Sequence, residues 1–315
     1  MESGVYASLD DLVRLKYQAQ GYSFLPNQPI HSLLAGRHAS RMRGRGLNFE
    51  EIRTYLAGDD IRNIDWRVTA RTGKPHTRVY TEERDRPALF VVDQRLNMFF
   101  GSKVSMKSVT AAEATALGAW RVLSQGDRVG GFVFNDSEIK DIRPHRSQRR
   151  VLELLRTVIK QNQDLRVTDS SVPEPAQFNH VLERVARAAK HDHLITLITD
   201  MDGYDDDSEQ LLTRLSQNND VLVVLIYDPL ETNLPDMGRL VIGEGDLQLE
   251  FDSADQQLRE TFAEAFNSNL ESRRQILMRR GIPVLPVNTA QPVIEQVQLL
   301  LGYRPKAAVS RVLAR

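Results

Sequence analysis

After Pro87 the chain alternates between apolar runs of strand length and amphipathic runs of helix length, and this alternation constrains the fold most. The run "ALFVVD" is continuously apolar and ends in an acid, as a strand does when both of its faces are buried. The segment 108–127 that follows it has Ala112, Ala116 and Trp120 at helical spacing. This order predicts a doubly wound, mostly parallel sheet with helices on both faces, a Rossmann-like α/β fold.

The same pattern continues through the rest of the chain. The stretch "GRLVIGEGDLQLEF" (238–251) alternates apolar and polar residues around Gly-Glu-Gly, which predicts a small inserted β-hairpin. The predicted strands cover 88–93, 128–136, 193–203, 220–229 and 282–287, and the predicted helices cover 108–127, 148–160, 179–190, 207–217, 255–280 and 291–301.

The residues before Pro87 show no such alternation. Residues 8–20 have the pattern of a helix that begins after Ser8, with Leu12, Leu15 and Tyr17 on its apolar face. Residues 21–47 are rich in Gly, Pro, His and Arg and predict an extended or irregular arm, and residues 49–57 predict one or two helical turns that end at Gly58.

Composition narrows the class of protein. The chain has 315 residues, a formal net charge of -1 and no cysteine, which excludes disulfides, thiol catalysis and thiolate zinc sites. The first residues lack the basic-then-apolar layout of a signal peptide, and no run approaches the roughly 18 apolar residues of a membrane span. We therefore expect a soluble, cytoplasmic protein with no integral membrane segment.

Two predicted strands end in an acid, Asp93 in "FVVDQRLNM" and Asp200 in "LITDMDG". If these strands are neighbours, both carboxylates reach one crevice at the carboxyl ends of the strands, where doubly wound sheets bind ligands. Such a crevice could hold a divalent cation through oxygen ligands. The alternative interpretation is that each Asp caps the turn after its strand.

The stretch "YLAGDDIRNIDW" (55–66) concentrates charge around a glycine. Asp59 and Asp60 could form an acid–base pair, but adjacent residues on a turn point in different directions. We instead predict a structural network in which Asp60 or Asp65 binds an arginine in bidentate fashion. Arg53 or Arg71 would supply the guanidinium, and Trp66 would pack beneath the pair. The predicted network comprises Arg53, Asp59, Asp60, Arg62, Asp65, Trp66 and Arg71.

The arm carries four arginines at 37, 41, 43 and 45, which could neutralise the phosphates of a nucleic acid. Only one aromatic residue, Phe49, lies near them, and the chain as a whole is not basic. We therefore predict a disordered or partner-binding arm and no nucleic-acid partner.

Residues 46–85 resemble the signature of a bacterial and archaeal family known as Domain of Unknown Function fifty-eight. The family pattern is F-x-x-x-R-x-Y-x-x-G-D-D-x-R-x-I-D-W followed by A-R-x-G, which this chain matches from Phe49 to Gly73. A later stretch, "DPLETNLPDMG" (228–238), is similar to a second feature of the family. We call residues 46–85 the signature segment.

The resemblance implies a division of the chain and a partner. Residues 1–87 would form the arm and signature segment, 88–303 a von Willebrand factor A-like α/β domain, and 304–315 a C-terminal tail. Proteins of this family are associated with MoxR-type AAA+ ATPases and have no established enzymatic activity. The implied partners are such an ATPase and its client complex.

Factor A domains often carry a metal-ion-dependent adhesion site, with the pattern Asp-x-Ser-x-Ser, a later Thr and a later Asp. Here the first element begins at Asp93, and both serines are replaced, by Arg95 and by Asn97. The Thr position falls near Ala176, and Asp200 supplies the last carboxylate. Two carboxylates and one amide oxygen are left to hold Mg²⁺, and Arg95 brings a positive charge beside them.

We therefore expect Arg95, or a neighbouring Lys or Arg, to replace the metal by pairing with Asp93 or Asp200. The expected function is a non-enzymatic protein-interaction module without a cofactor, Mg²⁺ being the one ion that a degenerate site of Asp93, Asn97 and Asp200 could hold. The alternative is a metal-dependent hydrolase or nuclease that uses Asp93 and Asp200. The predicted partner-binding crevice comprises Asp93, Arg95, Asn97, Asp200 and Asp202.

Overall fold

The computed structural model describes residues 4–19, 47–56, 59–82, 86–166, 174–232, 234–236, 238–244 and 247–300. The chain divides into two compact units. The smaller one contains the described residues between 47 and 82, and the larger one contains the first helix and the described residues from Arg86 onward.

The elements follow the chain in strand–helix order after Arg86. They are α1 (Leu9–Gln18), β1 (Leu47–Thr54), α2 (Trp66–Thr72), β2 (His76–Glu82), β3 (Pro87–Asp93), α3 (Lys107–Ser124), β4 (Arg128–Phe134), β5 (Ile139–His145), α4 (Gln148–Asp164), α5 (Gln177–Ala188), β6 (Leu194–Thr199), α6 (Asp206–Asn218), β7 (Asp220–Tyr227), α7 (Pro229–Thr232), β8 (Arg239–Glu244), β9 (Leu247–Asp252), α8 (Gln256–Arg279), β10 (Val284–Asn288) and α9 (Val293–Leu300).

The larger unit is built on one six-stranded sheet with the order β10-β7-β6-β3-β4-β5. All neighbours pair in parallel except β4 and β5, which are antiparallel. The chain moves to one side of β3 with β4 and β5, and to the other side with β6, β7 and β10. The predicted doubly wound, mostly parallel fold is confirmed, and the strand order reverses between β3 and β6.

Strand β3 is central because its side chains serve both faces of the sheet. Phe90 and Val92 pack in one hydrophobic core with residues of α3 and α4, while Leu89 and Val91 pack in a second core with residues of α5 and α6. Burial on both faces explains why the sequence of β3 is continuously apolar.

Both edge strands contain a proline. Pro144 lies in β5, and Pro286 lies in β10. Strand β5 is not predicted from the sequence, because only Ile142 is buried among its seven residues and the strand shows neither an apolar run nor a clean alternation.

Within the larger unit, helix α1 packs against α3. The indole Nε1 of Trp120 donates a hydrogen bond to the carbonyl of Leu12 at 3.0 Å, and both residues are buried. Ser8 caps the helix as predicted, accepting a hydrogen bond from the amide of Asp11. Tyr17 was expected on the apolar face, but it is 76% exposed, because the buried face is centred on Leu12.

The predicted helical turns at 49–57 are wrong. Residues up to Thr54 form β1, which pairs antiparallel with β2 and places Phe49 opposite Tyr80. Two glutamates favoured a helix locally, but the partner strand about thirty residues later satisfies the backbone in an extended conformation. Gly58 lies outside the described residues.

The other predicted helices and strands are found within a few residues of their expected ends, and the hairpin at 238–251 is confirmed as β8 and β9. Of the predicted arm at 21–47 only Leu47, the first residue of β1, is described, and the tail at 304–315 lies outside the described residues. No helix that the structure describes is both long enough and apolar enough to cross a bilayer.

The carboxyl of Glu113 on α3 is partly buried near Asp11 of α1, and its pH dependence tests this environment. Burial, with a smaller contribution from the Asp11 carboxylate of α1, raises the pKa of Glu113 from 4.5 to about 7. The folded state therefore binds this proton more tightly than the unfolded state, and stability is lost as the pH rises from about 4.5 to about 7. We expect Glu113→Gln to raise the melting temperature by roughly 2–6 °C at pH 8. This gain should shrink towards pH 4.5.

The matched control is Glu264→Gln on α8, where the carboxyl is exposed. It should leave the melting temperature unchanged at both pH values. An equal gain for Glu113→Gln at pH 8 and pH 4.5 would contradict the assignment.

Candidate functional site

Asp93 and Asp200 lie at the carboxyl ends of β3 and β6, which are adjacent parallel strands. Val92 pairs with Ile198 in the sheet, so the two carboxylates emerge side by side where the strand order reverses. The predicted convergence of the two acids is confirmed. Asp93 is fully buried, and the side chain of Asp200 is 9% exposed.

Arg95 occupies both oxygens of Asp93. Its Nε lies 3.0 Å from Oδ1 and its Nη2 lies 2.7 Å from Oδ2, a bidentate arrangement. The Arg95 amide also donates to Oδ1 at 3.0 Å, and the hydroxyl of Thr199 donates to Oδ2 at 2.7 Å. The Asp93 carboxylate thus accepts four hydrogen bonds from the protein itself.

The guanidinium of Arg95 is enclosed by aromatic rings and a backbone carbonyl. Its central carbon lies 5.4 Å from the centre of the Phe134 ring and 5.6 Å from that of Phe178. Its Nη2 also donates to the carbonyl of Asp202 at 2.9 Å. Only 1% of Arg95 is exposed, so this cation is part of the interior.

Asp200 is held by a second cation. The ammonium of Lys107, in the first turn of α3, lies 2.7 Å from Asp200 Oδ2 and 2.9 Å from Glu231 Oε1 of α7. The amide nitrogen of Asn97 donates to both oxygens of Asp200, at 2.9 Å and 2.8 Å. The backbone amide of Asp202 donates to Oδ1 at 3.0 Å, so Asp202 joins the site through its main chain while its side chain is exposed.

The carboxylates beside the two cations favour the charged form of each cation. Burial lowers the pKa of Lys107, but Asp200 and Glu231 outweigh this effect and raise the net value. Burial lowers the pKa of Arg95, but the carboxylate of Asp93 outweighs this effect and raises the net value. Burial raises the pKa of Asp93, although Arg95 opposes that shift. For Asp200, the ion pair with Lys107 outweighs burial and holds the pKa below its ordinary value. Both cations are therefore charged at neutral pH.

The side chains as arranged do not fit a divalent cation. Each carboxylate is saturated by donors, and Asn97 presents its amide nitrogen to Asp200, where a metal ligand would present oxygen. Ala176, near the Thr position of the adhesion-site pattern, has no side-chain oxygen to offer. Within the described ranges, no three His, Asp or Glu side chains come together in a way that could hold a metal ion.

Arg95 and the two aspartates are predicted from the sequence, but the residues that complete the site are not. Lys107 and Thr199 were hidden because each contacts an acid about a hundred residues away. Glu231 lies in the stretch "DPLETNLPDMG", whose resemblance to the family was the one available signal.

Asp228, three residues before Glu231, is a further carboxylate at this edge of the sheet. It is fully buried and accepts hydrogen bonds from the hydroxyls of Ser102 and Thr289.

The signature segment forms its own charge network in the smaller unit, with pairings that differ from those expected. Arg53 binds Asp59 in bidentate fashion, with both N–O distances at 2.8 Å. Asp65 caps α2, accepting from the amides of Arg67 and Val68, and also binds Nε of Arg78 at 2.8 Å.

Asp60 caps the short 3-10 turn Ile61–Asn63 and lies 3.4 Å from Nε of Arg62. Trp66 was expected to pack beneath the network, but it is 70% exposed, and Arg71 is also exposed. Both side chains face solvent, so their predicted place in a packed network is wrong.

Comparison with known proteins identifies the family. The model of the family described as "Protein of unknown function DUF58" matches residues 51–272. The chain belongs to the DUF58 family. The match includes most of the signature segment and continues through most of α8, so the two units together carry the family pattern.

This DUF58 protein is similar to two mycobacterial proteins, "Uncharacterized protein Rv1480" of Mycobacterium tuberculosis (strain ATCC 25618 / H37Rv) and "Uncharacterized protein Mb1516" of Mycobacterium bovis (strain ATCC BAA-935 / AF2122/97). Each is 25% identical over 285 residues, which are 90% of this chain and 87% of the relative.

Two solved structures resemble the fold at low sequence identity. The first, "Crystal structure of conserved hypothetical protein BatB from Bacteroides thetaiotaomicron", has a TM-score of 0.37 at 12% identity and covers 68% of this chain and 98% of its own. The second, "Crystal Structure of the SpRpn10 VWA domain", has a TM-score of 0.35 at 14% identity and covers 68% of this chain and 94% of its own.

Removing the Arg95 side-chain charge should strongly destabilise the DUF58 protein. Arg95→Met leaves Asp93 buried without its counter-ion, which costs about 3–5 kcal/mol of unfolding free energy. The double variant Asp93→Asn with Arg95→Met removes both charges and should recover a large part of that loss. Urea denaturation of the single and double variants measures both values.

The matched control is Arg187→Met on α5, whose exposed pair with Glu183 at 3.9 Å should contribute about 1 kcal/mol or less. If Arg95→Met unfolds at the same urea concentration as the control, the buried pair has no structural role.

Asp65→Ala should weaken α2 more than Asp60→Ala does. Hydrogen bonds from the Val68 amide and from Arg78 lower the pKa of Asp65, so its contribution is present above its ordinary pKa of 3.8 and is lost as the pH falls through the lower folded value. We expect faster amide exchange at Arg67 and Val68 in Asp65→Ala at neutral pH. Equal exchange in the Asp60→Ala and Asp65→Ala variants would contradict this order.

Proposed function

We propose that this DUF58 protein is a non-enzymatic protein-interaction module that binds a partner at its strand-end crevice, which is built on Asp200 and the buried Asp93 and Arg95 and reaches the surface at Asn97 and Asp202. The crevice lies where the sheet order reverses, the usual ligand-binding position of doubly wound folds. Its charges are already paired inside the protein. A fixed surface for a partner is therefore the function that the geometry favours.

The observation that carries this proposal is that two protein cations hold the two strand-end carboxylates. Arg95 and Lys107 lie on Asp93 and Asp200 at 2.7 Å, in the position where a factor A-like domain would use a divalent ion. We infer a degenerate adhesion site, in which the cations fix the carboxylates and the loops around them without any exchangeable ligand.

The proposed partner is a MoxR-type AAA+ ATPase together with its client complex, in the cytoplasm. This part of the proposal rests on the signature segment and on membership of the DUF58 family. In this role the crevice and its loops would present the client, or the module itself, to the remodelling ATPase.

The alternative function, a metal-dependent hydrolase or nuclease that uses Asp93 and Asp200, has less support. Such chemistry needs a carboxylate that is free to bind a cation or to accept a proton. Here every oxygen of both carboxylates accepts at least one hydrogen bond from the protein.

Calorimetric titration with Mg²⁺ and Mn²⁺ tests the degenerate site. We expect no binding in the micromolar range to the wild-type protein, because a dication would have to displace Arg95 and Lys107. Lys107→Met with Arg95→Met removes both competitors and should be the variant in which weak binding emerges. Micromolar binding to the wild type that Asp93→Ala abolishes would overturn the degenerate site.

The partner is tested by a pull-down with a MoxR-type ATPase from the same organism. We expect nucleotide-dependent association that is lost when exposed Asp202 is changed to Arg and kept when Glu264, an exposed acid on α8, is changed to Arg. Absence of association with the wild-type chain, with or without ATP, would count against the ATPase as partner.

A further inference from the structure

The outward side of α2 in the signature segment carries a tryptophan among cations. Trp66, Arg67, Ala70 and Arg71 lie within one side of the helix at helical spacing, Lys74 follows directly after the C-cap Gly73, and all five side chains are exposed. The opposite side of α2 faces the hairpin, where Thr69 accepts a hydrogen bond from the amide of His76. Helix α2 and the turn after it therefore expose Trp66 and three cations.

These three cations are not neutralised within the described part of the smaller unit. The acids closest to them in sequence are engaged elsewhere, because Asp59 binds Arg53 and Asp65 binds Arg78. No ion pair of Arg67, Arg71 or Lys74 occurs among the described residues. Their charge is available to an anionic surface.

Exposed aliphatic side chains lie in the same unit. Leu56 is 62% exposed and Ile61 is 66% exposed, in the two turns that precede α2. With Trp66 and with Ile52, which is 37% exposed, the described part of the unit exposes four large apolar side chains. Aliphatic side chains do not stack on nucleic-acid bases, and they therefore favour a lipid or protein surface over a nucleic acid.

Charge is distributed unevenly between the two units. Residues 37–85 contain eleven Lys or Arg against eight Asp or Glu, but residues 47–82 contain six of each, so the excess belongs to the four arginines of the arm, which lie outside the described residues. In the described part of the unit the positive charge is local to the α2 side, and cations exposed beside a tryptophan are a combination by which peripheral proteins bind anionic bilayers.

We propose that the α2 face, consisting of Trp66, Arg67 and Arg71 with Lys74 just after the helix, binds the surface of an anionic lipid bilayer. Trp66 lies at the level of the lipid headgroups, the position that tryptophan prefers, and the three cations bind lipid phosphates around it. Binding is reversible and salt-dependent, because the surface potential attracts each cation only within a Debye length.

The test uses the full chain with vesicles of phosphatidylserine and phosphatidylcholine, and vesicles of phosphatidylcholine alone as reference. Trp66 is the fluorescent reporter, since the other of the two tryptophans, Trp120, is buried. We expect phosphatidylserine vesicles to sediment the protein and to shift its emission to the blue, and 0.5 M salt to reverse both effects.

Arg67→Gln with Arg71→Gln should lower the partition coefficient by roughly 25-fold, about fivefold for each cation. The matched control is Arg149→Gln with Arg156→Gln, two exposed arginines of α4 in the larger unit, which removes the same charge and should leave partition within twofold. Trp66→Ala should weaken sedimentation, whereas Tyr17→Ala, which removes an exposed aromatic ring from α1, should not. Thermal melts of all variants confirm that they are folded.

Three results would overturn the proposal. The first is no sedimentation and no blue shift with phosphatidylserine vesicles. The second is an equal loss of partition in the α2 and α4 double variants, which would mean that only net charge matters. The third is a change of Trp66 emission with a single-stranded oligonucleotide but not with vesicles, which would assign the face to nucleic acid.

Discussion

The geometry of the strand-end crevice depends on a guanidinium that is almost completely buried. Burying an unpaired cation in that position would cost more free energy than the fold can supply, and burying an unpaired carboxylate at Asp93 would do the same. Bidentate pairing with Arg95, flanked by two phenylalanine rings, makes both charges tolerable at once. Because the pair needs one specific geometry, it determines where the chain goes when it leaves β3.

The second ion pair extends this constraint to other elements. Lys107 connects the start of α3 with Asp200 after β6 and with Glu231 of α7. Asp228 connects the end of β7 with Ser102 before α3 and with Thr289 after β10. Loops after four of the five parallel strands are thus tied to one another by buried polar contacts. This network makes the carboxyl edge of the sheet a rigid surface, which suits recognition of a partner.

Much of the fold and part of the site could be predicted from the sequence. Continuous apolar runs identified the buried parallel strands, and the acids that end β3 and β6 identified the crevice. Arg95 was found because it stands in place of a serine in a known pattern. Lys107 and Thr199 were not found, since nothing local distinguishes a lysine that binds a distant carboxylate from one that faces water. Trp66 was misplaced for a related reason, because a large apolar residue is usually buried and only the packing of α2 shows that this one is not.

The two edge prolines limit how this protein can assemble with others. Pro144 in β5 and Pro286 in β10 each remove a backbone donor from an outer strand, and β5 adds charged side chains. A partner strand that paired with either edge of this sheet would meet a row of backbone groups that lacks one N–H donor. Strand addition at the edges of the six-stranded sheet is therefore disfavoured, and a search for interfaces on that sheet begins with the loops and helices around it.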